Sequence, residues 1–306
     1  MTARNGRNAL FHARLLRVMD QMSELTQSHG RNEIVSIIIT TRNAGLTLER
    51  CLRSVKAQSY ENTETIVVDN FSQDQTEKIA QRFADKFSEV GPERSSQRNH
   101  GAKLASGDFF MFIDADMELT RNVVEDCLLG AAGHDALIIP EKTVGVNYLA
   151  RIRRIERDAC IGSLLFEAAR FVRREVFESM GGYDTRLTGL EDYDFQARLE
   201  EHGYAIGFSA GEILHHEDGL SLGRHLKKRA YYAKGLRLYE SLHPDRARLQ
   251  FGPRRFLFYV RTMGSRPIAL TSVLSLKALE YAAFEGSHLL SSSSARPTAQ
   301  DIYAPR

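Results

Sequence analysis

The chain has 306 residues, 42% hydrophobic and 26% charged, a balance that excludes a disordered chain, and its net charge of +2 excludes a whole-surface binder of nucleic acid. The length allows one large α/β domain with extensions or two modest domains. Three cysteines, Cys51, Cys127 and Cys160, form no C-x-x-C pair, which argues against a disulfide framework or structural zinc and fits a reducing, cytoplasmic setting.

Residues 1–33 read as a polar arm with one amphipathic helix, roughly Ala9 to Leu25, and no apolar signal-peptide core. From Ile34 the pattern changes to Ile34-Val35-Ser36-Ile37-Ile38-Ile39, a β-branched run that predicts a strand buried on both faces. Thr47 offers a cap for a helix whose Leu48, Cys51, Leu52 and Val55 share one face. A second strand is expected at Thr65 to Asp69, then a helix with Ile79, Phe83 and Phe87 inward. Asp108 to Ile113 predicts a third strand, Thr120 the cap of the next helix, and Ala136 to Ile139 a fourth strand. Strand and helix in alternation predict an α/β fold: a mostly parallel central sheet with helices on both faces, Rossmann-like.

Further on, Ala168 to Val172 reads as a strand, Arg174 to Met180 and Asp192 to His202 as helices, and Ala205 to Leu214 as extended. Past residue 222 the chain turns basic: from Arg224 to Arg266 twelve Lys and Arg stand against Glu240 and Asp245. Apolar residues crowd Ile268 to Phe284, but Lys277 and Glu280 interrupt them, so this helical stretch is expected to lie on a surface rather than cross a membrane. The division expected is an arm at 1–33, a catalytic domain at 34–222, a basic, amphipathic C-terminal helical extension at 223–290 and a disordered tail at 291–306.

Parallel sheets bind ligands at the carboxyl ends of their strands. After the first strand come Thr40, Thr41, Arg42 and Asn43, able to hold a base and ribose; after the second, Asp69 can accept from a nucleobase N–H. Asp114-Ala115-Asp116 follows the third, and two close carboxylates repel unless a cation lies between them. Hard divalent ions bridge such oxygens to a diphosphate. Glu191 and Asp192 open a helix, where a carboxylate is favoured, and either is a candidate general base. His215 and His216 can complete a carboxylate metal site; Arg94, Arg98 and Asn99 can grip phosphate.

In this order the blocks Ser36-Ile37-Ile38-Ile39-Thr40-Thr41-Arg42-Asn43, Val67-Val68-Asp69-Asn70-Phe71-Ser72-Gln73-Asp74, Arg98-Asn99-His100-Gly101, Asp114-Ala115-Asp116 and Gly189-Leu190-Glu191-Asp192 resemble glycosyltransferase family 2, with the GT-A, nucleotide-diphospho-sugar fold. The resemblance runs from about Ile34 to Leu226. It implies that Thr40, Arg42, Asn43 and Asp69 line the nucleoside pocket and that Arg98 and Asn99 lie near the base or phosphates. Asp114 would approach the ribose and metal, Asp116 would bind the metal, and His215 or His216 would add a ligand. Asp192, with Glu191 beside it, would be the base. The cofactors implied are Mn²⁺ or Mg²⁺ with a UDP- or GDP-sugar donor.

The chemistry implied is an inverting transfer to an acceptor hydroxyl, in polysaccharide or glycolipid synthesis, with a glycan or lipid-linked acceptor. The basic stretch, with Tyr231, Tyr232 and Tyr239 among its charges, suits peripheral contact with the inner membrane face. The competing expectation is a non-catalytic nucleotide-sugar-binding or scaffold protein on the same fold. A nucleotidylyltransferase would want a Gly-rich, Lys/Arg-bearing phosphate loop after the first strand, and a dinucleotide oxidoreductase G-x-G-x-x-G. Thr40 to Gly45 supplies neither.

Overall fold

Two apolar strands, buried along nearly their whole length, set the centre of the molecule. β1 (Val35–Thr41) is buried at every position and β2 (Thr63–Asp69) at its last five, as strands covered on both faces must be. In the computed structural model, which describes residues 32–291, they run parallel with Ile37 opposite Thr65 and Thr41 opposite Asp69. β3 (Lys86–Glu89) lies beyond β2, and β4 (Phe109–Asp114) flanks β1, both parallel. Short strands follow: β5 (Met117–Leu119), β6 (Ala136–Ile138), β7 (Glu141–Val144), β8 (Phe171–Arg173), β9 (Ile206–Phe208) and β10 (Ile213–His216). The main sheet has the order β3-β2-β1-β4-β8-β6-β9, and β8 alone in it runs against its neighbours. A small second sheet, β5-β10-β7, stands at its carboxyl end.

The two-residue period of the strands divides the core. Ile37, Ile39, Val67, Phe109 and Met111 pack on α1 (Leu48–Lys56), α2 (Thr76–Phe83) and α4 (Val123–Ala131), while α3 (Arg94–Leu104) covers the opposite face. Ile38, Ile66, Val68, Phe110 and Phe112 face the other way, toward α3. There Gly101 lets the helix sit close, since a Cβ would lie 2.5 Å from the Ile38 side chain. Each such side chain taken from water contributes about 1.5–3 kcal/mol. α5 (Tyr148–Cys160), α6 (Arg174–Ser179) and α7 (Glu191–Glu201) complete the layers. The chain then continues as α8 (Leu222–Tyr232), α9 (Leu236–Leu242), α10 (Pro244–Phe251), α11 (Pro253–Met263) and α12 (Pro267–Ser291).

Several local expectations change. Phe87 lies in β3 rather than on a helix, because α2 ends at Phe83. Thr120 does not cap α4; its hydroxyl donates to the Glu212 carbonyl at 3.0 Å, and Asn122 holds the cap position. The extended run from Ala205 to Leu214 is two strands in different sheets. α5, which breaks the strand alternation, carries Ile152 and Cys160 into one apolar cluster with Tyr259, Met263, Val273 and Leu276 of α11 and α12. Residues on both sides of position 222 therefore share a core. The three cysteines are buried and free. Among the described residues no helix is long and apolar enough to cross a membrane. The arm expected at 1–33 and the tail expected at 291–306 lie, but for their inner edges, outside the described residues.

Candidate active site

A cleft of about 1500 Å³ opens at the carboxyl ends of β1 and β4, between the small sheet and α8. Thr40, Arg42 and Asn43 line it where β1 ends. Asn43 adopts a left-handed φ of 46°. Its N–H donates to Ser72 Oγ at 2.7 Å and its Oδ1 accepts from the Gln73 N–H at 2.9 Å, tying the loops after β1 and β2 together.

Asp69 ends β2 fully buried and does not reach the cleft. Its carboxylate accepts from Thr41 Oγ1 at 2.5 Å and from the N–H and hydroxyl of Ser72, each at 2.6 Å. Asp69 therefore stiffens the floor, and Asn70 is the residue of that turn on the cleft wall.

Arg98 is 1% exposed and lies behind the wall. One guanidinium nitrogen donates to Asp114 Oδ1 at 3.0 Å and the other to Glu191 Oε1 at 3.1 Å. Arg94, one helical turn earlier on the same face of α3, does reach the cleft, 3.5 Å from Asp114 and 3.4 Å from Glu191. Asn99 points elsewhere: its amide donates to the Tyr183 carbonyl at 2.8 Å and accepts from the Tyr183 N–H at 2.9 Å, pinning the Gly182 turn. Of the three residues expected to grip phosphate, Arg94 lines the cleft and Arg98 and Asn99 do not.

Asp114 closes β4 among three guanidinium groups, the third being Arg170 at 3.8 Å. Burial opposes its ionisation, yet Arg98, Arg94 and Arg170 hold the carboxyl far below the ordinary range. Asp116, two residues on, is a third exposed and faces His215, whose Nε2 stands 3.3 Å away. Burial raises its pKa, but His215 outweighs that and brings it to about 2. Burial likewise works against charge on His215, while Asp116 and Glu141 carry its pKa up to about 9. Alternation along β10 turns the adjacent imidazoles apart: His215 reaches Asp116 and, at 3.1 Å, Glu141, whereas His216 lies 2.8 Å from Glu118.

These positions bear on a divalent ion. Asp116 and His215 offer an oxygen and an imidazole nitrogen within reach of one ion, and Glu141 fixes the ring from behind, as outer-shell carboxylates do. No three His, Cys, Asp or Glu side chains gather as a metal group among the described residues. Mg²⁺ and Mn²⁺ suit such a sparse donor set, because they retain water and take substrate phosphate oxygens.

Glu191 and Asp192 start α7 with opposite fates. Glu191 is 1% exposed and locked to Arg98 and Arg94. Asp192 opens on the cleft; burial, and then the Glu191 charge, push its pKa above the ordinary aspartate value of 3.8 against the pull of the arginines. Gly189, at φ 77°, lets the chain pass under Tyr232, whose ring would lie 2.3 Å from a Cβ there. Sequence reasoning missed Glu141 and Arg170, joined at 2.7 Å, because neither belongs to a motif.

A family model described as Glycosyl transferase family 2 matches residues 36–179. Glycosyltransferase AglE of Haloferax volcanii is 27% identical over 220 residues, spanning 66% of this chain and 72% of that protein. A PGL/p-HBAD biosynthesis glycosyltransferase of Mycobacterium bovis is 30% identical over 177 residues, 53% of this chain and 68% of that one. Among solved structures, the mannosyltransferase PcManGT from Pyrobaculum calidifontis, in complex with GDP-Man and Mn²⁺, superposes with a TM-score of 0.55 at 17% identity, covering 93% of this chain and 88% of that one. TarS of S. aureus in complex with UDP superposes at 0.51 and 16% identity, covering 86% of this chain and 93% of the other. Likeness at that identity speaks to the fold.

Proposed function

Since the chain belongs to glycosyltransferase family 2, whose members transfer sugars from nucleotide-sugar donors, we propose that it is an inverting, metal-assisted transferase with Asp192 as its base. The observation that carries this is the contrast at the start of α7, where Glu191 is bound to arginines and Asp192 faces the cleft with a raised pKa. Asp192 takes the proton of the acceptor hydroxyl, and the oxygen bonds to the anomeric carbon from the face opposite the diphosphate. The bond from that carbon to the diphosphate oxygen breaks, and its electron pair leaves with the diphosphate. A divalent ion held by Asp116 and His215 would supply Lewis-acid stabilisation of that leaving group. Arg94, in the same cleft, adds positive charge beside it.

Thr40, Arg42, Asn43 and Asn70 form the wall suited to the nucleoside. PcManGT binds GDP-Man with Mn²⁺ and TarS binds UDP, so the donor proposed here is a UDP- or GDP-sugar, with Mn²⁺ or Mg²⁺. Thermal shift against UDP and GDP, each with and without Mn²⁺, distinguishes the two bases, because a ligand above its Kd raises stability predictably. NMR of the glycoside product tests the mechanism: inversion is expected, and retained anomeric configuration would remove Asp192 from this role.

The acceptor proposed is a glycan or lipid-linked hydroxyl. Exposed Phe256, Leu257, Val260 and Ile268 alternate with exposed Arg254, Arg261 and Arg266 along α11, the turn after it and the start of α12. Such a face suits an anionic bilayer, where each Arg contributes about 1 kcal/mol. Co-sedimentation with anionic vesicles, lost in high salt, is the expected result; salt-independent absence of binding would oppose it.

A further inference from the structure

The first helix of the basic extension, α8, is a wall of the cleft, and its cations are unevenly occupied. Arg229 pairs with Glu280 at 3.5 Å, Arg224 donates to the Gly219 carbonyl at 3.0 Å, and Lys227 is exposed. Lys228 differs from them. It lines the cleft together with Arg94, Asp114 and Asp116, and among the described residues no carboxylate stands within ion-pair distance of it. Its ammonium lies 5.8 Å from the centroid of the Tyr232 ring, and the Arg94 guanidinium lies 5.0 Å from the same ring.

That ring is fixed. Tyr232 packs on Gly189, three residues before Asp192, and the neighbouring Tyr231 hydroxyl donates to Glu93 at 2.6 Å. The helix is thereby tied both to the turn before α7 and to the residue before α3. Lys228 and Arg94 consequently approach the acid pair from two elements across one aromatic side chain, and the cation–π contact of Lys228 leaves its own charge available to an anion.

Asp114, Glu191 and Asp116 are already compensated without Lys228. Asp114 faces three guanidinium groups, Glu191 two, and Asp116 has His215. A half-buried ammonium beside compensated acids is positive charge without a counter-ion, and a cleft so arranged favours an anionic ligand.

We propose that Lys228 binds the diphosphate of the donor opposite the Asp116–His215 pair and neutralises charge on the leaving diphosphate as the sugar transfers. No proton passes through Lys228; the acceptor proton goes to Asp192 and the electron pair to the diphosphate oxygen. The basic extension is then part of the donor site, whatever else its outer face contacts. This rests on the cleft being a nucleotide-sugar site.

Calorimetric titration of the full chain with UDP and UMP, and with GDP and GMP, in Mn²⁺ tests it. Lys228→Ala should weaken the diphosphate about tenfold and leave the monophosphate unchanged, while Lys227→Ala changes neither and Lys228→Arg restores most of the loss. Lys228→Met, which keeps the apolar stem over Tyr232, should reproduce the alanine result if Lys228→Ala melts early. Equal affinity of wild type and Lys228→Met for the diphosphate overturns the proposal, as does equal loss of mono- and diphosphate, which would mean that the residue only supports α8. A wild-type chain that binds neither UDP nor GDP sinks the nucleotide-sugar reading and this proposal together.

Discussion

The two sides of the cleft are braced by acids held in different ways. On the β1–β2 wall, Asp69 is surrounded by hydroxyls and a backbone N–H, and Asp74 accepts from the N–H groups of Gly45 and Thr76 at 2.9 and 3.0 Å. On the facing wall, Asp114, Glu141, Glu191 and Glu217 lean on arginines from α3, α5 and the approach to β8. Neutral donors fix a loop without adding charge, so the first wall is a rigid frame. Guanidinium–carboxylate contacts link elements distant in sequence, and each removed partner leaves a buried charge behind. The second wall is an electrostatic network whose members depend on one another, and the proposed catalytic groups stand at its edge.

Breaking the network at that edge should give the largest effect. Asp192→Asn is expected to lower kcat by about 10²- to 10⁴-fold, the usual worth of a positioned base. Its stability should move the other way. A carboxyl whose pKa is raised by folding favours the folded state below its unfolded value and disfavours it as pH rises through the folded value. At neutral pH the asparagine variant should therefore melt no lower than wild type. A variant that is both inactive and early-melting would show that Asp192 is a structural member of the network.

Next in size is the contrast between walls. Arg98→Ala leaves Asp114 and Glu191 with less compensation and should cost about 3–5 kcal/mol in denaturant unfolding. Asp69→Ala strands the Thr41 hydroxyl and the Ser72 N–H and should cost about 1–3 kcal/mol. Should the aspartate prove the costlier loss, the distinction between a neutral frame and a charged network fails.

That distinction also explains what could be read from the residues alone. β1, β2, β4 and α1 follow from short apolar runs and one helical period, and the acids that end those strands announce themselves by position. Asp114 and Asp116, at the end of β4, and Asp192, in the first turn of α7, come to one cleft. The roles of Asp69, Arg98 and Asn99 were not legible, since burial of a polar side chain depends on whether a partner such as Ser72 or Tyr183 turns inward to meet it. His215 and His216 could be separated only once β10 was seen to lie between β5 and β7. Lys228 and Glu141 carry no local signal, because their neighbours in space come from segments far away in the chain.

The smallest expected effect is the sharpest probe of the network. With Asp192 acting as a carboxylate base, activity is lost as pH falls through its raised pKa, so the acidic limb of kcat/KM should lie above 3.8. Burial is the first cause of that rise and the Glu191 charge the second. Glu191→Gln removes the second alone, so the limb should move part of the way toward lower pH, with little change in rate at neutral pH. The arginines favour the same direction, since Arg98 and Arg94 lose one of the two acids they hold and attract the Asp192 charge more strongly. A limb that stays where it was would mean that burial alone sets the base, and that Glu191 serves only to aim the two arginines.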